Sequence, residues 1–201
     1  MNKFNNNKAS FFEDYFISLK ATINNIDENQ FLLITNFLKK KIKNKNNIFV
    51  AGNGGSAAIA NHLLCDFNKG IKTSSKNKIT PKVISLSNSI EIITAISNDI
   101  SYKKIFSFQL ENYYKKGDCL ICFSSSGQSK NIIDVINFAF KKKIKTILFQ
   151  GFGKLNKKIK PDYYINLNYR NYGVTEDIFQ SLMHIISQNI RSNYKKNKEI
   201  L

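Results

Sequence analysis

Short apolar runs alternating with helical patterns predict an α/β fold. The expected form is a three-layer αβα sandwich, doubly wound around a five-stranded parallel sheet, with an N-terminal helical pair. Three observations carry this. Five strand candidates, at 48–51, 82–86, 119–124, 146–150 and 163–167, are each bounded by polar or glycine-containing segments. Helical patterns fill the gaps, and strand–helix–strand units imply right-handed crossovers and a sheet covered on both faces. No internal repeat or long low-complexity linker divides the 201 residues, so one domain over 1–201 is expected. Residues 1–46 would be its helical lead-in and 47–201 its core.

From Phe11 to about Asn44 apolar residues recur three and four apart. Phe11, Tyr15, Leu19 and Ile23 make one stripe, and Phe31, Ile34, Phe37 and Leu38 belong to another, with a break at 25–28. The later helix candidates are 56–68, 90–98 with 102–114, 130–142, and about 174–192. Pro81 and Pro161 each sit just before a strand, where no ladder hydrogen bond inside a central strand is lost.

Composition narrows the function classes. No run of about 18 apolar residues exists to cross a membrane. Residues 1–9 are rich in Asn and Lys, without the apolar stretch of a signal peptide, so a cytoplasmic protein is expected. Three cysteines do not suggest a disulfide framework. Cys119 and Cys122 form a C-x-x-C, but residues three apart on a strand face opposite sides, so buried thiols are expected there.

The net charge of +17 raises the question of nucleic acid. Lysine supplies nearly all of it, with Arg170 and Arg191 the only arginines. The lysines cluster at 39–45, 141–145, 154–160 and 195–198, on predicted helix ends and loops rather than one stripe. Solvated faces are therefore expected and no nucleic-acid partner, although a positive field draws in small anions.

Two loops carry the chemistry. The first, Gly52-Asn53-Gly54-Gly55-Ser56, joins a strand to a helix; its glycines let a ligand approach the backbone, and the helix N-terminus favours an anion. The second, Ser124-Ser125-Ser126-Gly127-Gln128-Ser129, places hydroxyls and a glycine between another strand and helix. In open α/β sheets ligands bind beyond the carboxyl ends of the strands, where two such loops converge. Neither loop matches the G-x-x-x-x-G-K-[ST] or the dinucleotide pattern, so a monophosphate fits better than a nucleotide.

The chain's only two histidines both neighbour acids at helical spacing. His62 and Asp66 are four apart on the helix leaving the first loop, and Glu176, Gln180 and His184 are four apart on the last helix. Two helices thus each offer a carboxylate and an imidazole, a combination suited to proton transfer beside a phosphate.

These residues together resemble the sugar isomerase (SIS) domain family, and within it the phosphoheptose isomerases. The resemblance is carried by GNGGS at 52–56, His62, TAISND at 94–99, SSSGQS at 124–129, and the last helix with Glu176 and His184. It implies conversion of sedoheptulose 7-phosphate to D-glycero-D-manno-heptose 7-phosphate, feeding lipopolysaccharide or capsule synthesis. It also implies a homotetramer in which the N-terminal helices serve oligomerisation.

By position, Asn53, Gly54, Gly55, Ser56, Asn98, Asp99 and Glu176 would bind substrate, and Ser124, Ser125, Ser126 and Ser129 its phosphate. Asp66 and His184 would be catalytic. Some members bind zinc; one divalent ion per subunit would sit at His62, Asp66, Glu176 and His184. Two positions depart from the pattern: Asp66 stands where a glutamate is expected, and Glu176 where heptose isomerases usually have glutamine. The alternative is a non-catalytic phosphosugar-binding sensor or regulator that uses the same loops around a structural metal.

Overall fold

The computed structural model describes residues 10–197; the expectation for residues 1–9 and the last lysine of the 195–198 cluster lie outside them. Helix α1 (Phe11–Asn24) starts at a reciprocal cap, with Ser10 Oγ accepting from Glu13 N and the Glu13 carboxylate accepting from Ser10 N. Helix α2 (Glu28–Lys43) begins at Asp27, whose carboxylate accepts from Gln30 N. Phe31, Ile34, Leu38 and Ile42 bury one α2 stripe against the sheet. The α1 stripe is only partly used. Tyr15 and Leu19 pack on the core, while Phe11 and Ile23 stand exposed beside Phe12, Phe16 and Ile17.

The sheet contains β1 (Asn47–Ala51), β2 (Lys82–Ser85), β3 (Cys119–Ser124), β4 (Lys145–Gln150) and β5 (Tyr163–Asn166). Its order is β2-β1-β3-β4-β5, with every neighbouring pair parallel. All six residues of β3 are buried, as expected for a central strand covered on both sides. Side chains alternate between the two cores. Ile48, Val50, Cys119, Ile121, Ile147 and Phe149 face one, and Phe49, Ala51, Leu120, Cys122 and Leu148 the other. Cys119 and Cys122 therefore point apart, and burial pushes the Cys119 thiol up to about 12 and the Cys122 thiol higher still.

Helix α3 (Gly55–Cys65) continues as a π-helical turn, Asp66–Ile71, and a last α turn, Lys72–Ser74. The extra residue of the π turn keeps both Phe67 and Ile71 fully buried, so this helix runs past the expected end at 68. Helix α4 (Ile90–Asp99) follows β2. The expected helix at 102–114 is split into a 3₁₀ turn, Tyr102–Lys104, and α5 (Ser107–Tyr113), with Ile105 and Phe106 sunk into the core between them. Helix α6 (Lys130–Lys141) precedes β4, and α7 (Tyr172–Asn197) packs on α3 and α1. Among the described residues no helix is long and apolar enough to cross a membrane.

The order reverses between β1 and β3. In such sheets that is the switch point where ligands bind, and both loops picked out in the sequence leave it.

Candidate active site

The first loop is shaped by glycine. A Cβ on Gly52 would stand 2.4 Å from the Ser56 carbonyl oxygen, and Gly54 takes φ +55 at the N-cap of α3. Asn53 ties this loop to α6: its Nδ2 donates to Asn131 Oδ1, and its Oδ1 accepts from Asn131 Nδ2 and the Tyr102 hydroxyl, each at 2.9 Å.

The second loop turns on Gly127, whose φ is +66 and whose Cβ would lie 2.3 Å from the Gln150 side chain. Ser124 Oγ accepts from Gly127 N, and Ser126 Oγ accepts from Gln128 N. Ser129 is the N-cap of α6 but makes no side-chain capping bond, which leaves its hydroxyl and the first N–H groups of that helix available. Ser125 is 5% exposed, and its Oγ has no hydrogen-bond partner among the described residues. A buried hydroxyl without a partner is costly, and a phosphate oxygen would satisfy it.

The two loops line one cleft, formed by Asn53, Ser56, Phe123, Ser124, Ser125, Ser126, Ser129, Tyr172 and Glu176. Two turns further along α7 lies the second half of the site. His62 Nε2 is 3.0 Å from His184 Nε2, with Asp66 Oδ1 3.7 Å from His62 Nε2 and Asp66 Oδ2 3.8 Å from His184 Nε2. Ser187 Oγ donates to Asp66 Oδ2 at 3.2 Å, and the Gln180 amide nitrogen is 2.9 Å from His184 Nε2. Asp66 is the first residue of the π turn.

His62, Asp66 and His184 offer donor atoms within 4.8 Å of one another. A tetrahedral divalent ion with ligands at about 2.0–2.2 Å holds its donors about 3.3–3.6 Å apart, which the three observed spacings bracket. This donor set fits a divalent cation.

Within one chain Glu176 stands apart from these three residues. Eight residues of helix place it about 12 Å from His184 along the axis. Its carboxylate lies against Gly55, where an added Cβ would meet Oε2 at 2.1 Å. Among the described residues it has no hydrogen-bond or ion-pair partner. Burial, and then the charge of Asp177, hold it above the usual carboxylate range.

Asn98 and Asp99 also stand apart from this cavity. They stand exposed at the end of α4, Asn98 Nδ2 donating to Asp99 Oδ1, and they do not line the cavity. The structure adds Tyr172 to the cavity wall and Tyr102, Asn131, Gln180 and Ser187 as polar partners of site residues. The Gln180–His184 spacing was visible in the sequence; the other contacts are long-range and leave no local signal.

The sequence profile that describes the SIS domain matches residues 12–151, more than two thirds of the chain. The chain belongs to the SIS domain family. Within it, this SIS domain is a phosphoheptose isomerase-like enzyme. It is 31% identical over 162 residues to the probable phosphoheptose isomerase of Thermoplasma acidophilum, covering 81% of this chain and 87% of that one. It is 38% identical over 128 residues to phosphoheptose isomerase 2 of Campylobacter jejuni, covering 62% of each. Its fold matches the phosphoheptose isomerase GmhA of Neisseria gonorrhoeae at a TM-score of 0.76 and 22% identity, over 90% of this chain and 95% of that one.

Proposed function

We propose that this SIS domain interconverts sedoheptulose 7-phosphate and an aldoheptose 7-phosphate by enediol proton transfer, supplying heptose for lipopolysaccharide or capsule synthesis. The observation that carries this is the layout along α7. A phosphate-type cavity and a His62–Asp66–His184 group lie two helical turns apart, about 12 Å, which suits a sugar long enough to reach both.

The substrate phosphate binds to the hydroxyls of Ser125 and Ser129 and to the free N–H groups at the start of α6. Asn53, held by Asn131 and Tyr102, fixes the first loop against the sugar. At the far end Asp66 and His184 share the proton work. One takes the proton from the carbon beside the carbonyl, and the other exchanges protons with the oxygens of the enediol. Ser187 donates to Asp66 and keeps one carboxylate oxygen directed, leaving the other to face His62.

His62, Asp66 and His184 would hold the divalent ion, zinc by the chemistry of imidazole and carboxylate donors. When bound, such an ion polarises a carbonyl oxygen. The exposed apolar row Phe12, Phe16 and Ile17 on α1 supports oligomerisation through the N-terminal helices, read here as a homotetramer. Unpaired buried thiols at Cys119 and Cys122 go with a reducing, cytoplasmic setting.

The test is a pair of variants. Asp66→Asn and His184→Ala should each lower kcat by at least about 100-fold while the sugar phosphate still binds. Turnover near the wild-type rate in both would remove the catalytic assignment.

A further inference from the structure

The lysine clusters that look scattered along the chain meet on one face. All five strands run parallel, so the segments leading into them lie at one end of the sheet, opposite the end that carries the two loops. Each lead-in is rich in lysine: 40–45 before β1, 76–82 before β2, 115–116 before β3, 141–145 before β4, and Lys160 before β5. The register keeps the strand starts level, with Asn47 beside Lys82, Ile48 beside Cys119 and Cys119 beside Lys145. Strands about 4.8 Å apart, with a helix layer of about 10 Å on either side, make a face of roughly 20 by 30 Å.

Most of this charge is unpaired. Apart from half-buried Lys41, every lysine of these segments is exposed. Among the described residues only Lys145 is ion-paired, with Asp162, and Lys41 donates to the Gly117 carbonyl. Asp118, the other acid in these turns, is buried and accepts from Asn47 N, Asn47 Nδ2 and Lys115 N. Lys115 and Lys116 from one turn and Lys142 and Lys143 from the next line a shared cleft.

A helix dipole accounts for lysines in a last helical turn. It does not account for Lys78, Lys82, Lys115, Lys116 and Lys160, which lie outside the helices. Lys45, Lys76 and Lys143 go further. They take φ of 56, 52 and 57 just past a helix end, where glycine is usual and a side chain is strained. Lysine stands at all three in spite of that strain.

We propose that this face docks on an anionic lipid bilayer, leaving the cleft at the opposite end open to solvent. The surface lies outside the site described above and is independent of the reaction assigned there. A level face suits a fluid sheet of headgroups, and lysine meets it as a mobile point charge. Tyr113 and Phe140, exposed in the last turns of α5 and α6 beside these lysines, are placed to enter the headgroup boundary. Nucleic acid is served less well. The lead-ins hold no arginine, and Tyr114 packs its ring edge-on to Phe138 instead of offering it to a base.

The experiment floats the full chain with vesicles of phosphatidylcholine alone or mixed in equal parts with phosphatidylglycerol. The protein should rise with the mixed vesicles only, and stay behind in about 1 M salt, where the screening length falls to about 3 Å. A lysine held near an anionic surface strengthens binding about fivefold. Lys115→Gln, Lys116→Gln, Lys142→Gln and Lys143→Gln together should therefore weaken it at least about 100-fold. Lys78→Gln, Lys82→Gln and Lys160→Gln, a second set from other strands, should weaken it at least about tenfold. Removing the same charge near the active-site end, at Lys103, Lys104, Lys130 and Lys154, should change it less than about threefold. Thermal unfolding confirms that each variant is folded.

Equal uptake on neutral vesicles, or no uptake on either, would overturn the docking face. Equal losses in the face and active-site-end variants would assign the binding to net charge and not to this surface. A duplex oligonucleotide bound more tightly than the mixed vesicles at the same salt would overturn the bilayer in favour of nucleic acid.

Discussion

Replacing Ser125 by alanine should move stability and binding in opposite directions. The Ser125 side chain is buried, and its Oγ lacks a partner among the described residues. Burying an unpaired hydroxyl costs about 1–3 kcal/mol, so the ligand-free variant should be more stable by at least about 1 kcal/mol. For a chain of 201 residues that raises Tm by roughly 2–4 °C. The backbone carbonyl of Ser125, which accepts from Gly151 N and Phe152 N, is untouched by the change. Substrate binding should suffer. A hydrogen bond to a charged phosphate contributes about 1.5–3 kcal/mol, which is about 10- to 150-fold in Kd. Thermal unfolding without ligand and calorimetric titration with a sugar phosphate measure the two effects separately. A destabilised apoprotein with unchanged Kd would refute the reasoning, because the hydroxyl would then be a structural group and not part of the anion site.

Two further outcomes follow from the same cavity. Gly127→Ala forces a side chain into φ +66 and against Gln150; it should cost about 1–3 kcal/mol, lower Tm by several degrees and remove phosphate binding, so an unchanged Tm and Kd would contradict the role of this turn. Glu176 shares the cavity with the phosphate and titrates above the usual carboxylate range because it is buried and lies beside Asp177. Its neutral form favours an anionic ligand, so substrate affinity should fall as pH rises through and beyond that raised value. Glu176→Gln should flatten this part of the KM–pH profile, leaving only the titration of the phosphate itself, near pH 6; equal slopes in the two proteins would exclude the carboxylate.

Much of the fold was legible because its signals are local. The five strands are short apolar runs, and each observed boundary falls within one residue of the expected one. Asp27 and the polar residues around it marked the α1–α2 break through their preference for helix caps. The split at Ile105 and Phe106 was not legible, because burial in the core overrides a continuous helical pattern there. Nor was the π turn at Asp66, which is fixed by seating Phe67 and Ile71 together.

The site divides along the same line. The two loops announced themselves by composition, and His62, Asp66 and His184 by helical spacing. Spacing cannot tell which residues of α7 meet which turn of α3. That depends on how the two helices pack: Glu176 falls against Gly55 at the start of α3, and His184 reaches His62 further along. Asn98 and Asp99 entered only by resemblance, and in this chain they lie at an exposed helix end, bonded to each other. Tyr102 reaches Asn53 across 49 residues, a pairing that no window of sequence contains.

The central claim is that Asp66 and His184 transfer protons on a bound sugar phosphate. It is tested most directly by incubating the purified chain with sedoheptulose 7-phosphate in D₂O, with and without Zn²⁺, and following the products by NMR. Enediol proton transfer predicts an aldoheptose 7-phosphate carrying deuterium at C2, lost in Asp66→Asn. Saturable binding of the sugar phosphate with neither aldose nor deuterium incorporation would contradict the account and make this SIS domain a phosphosugar sensor.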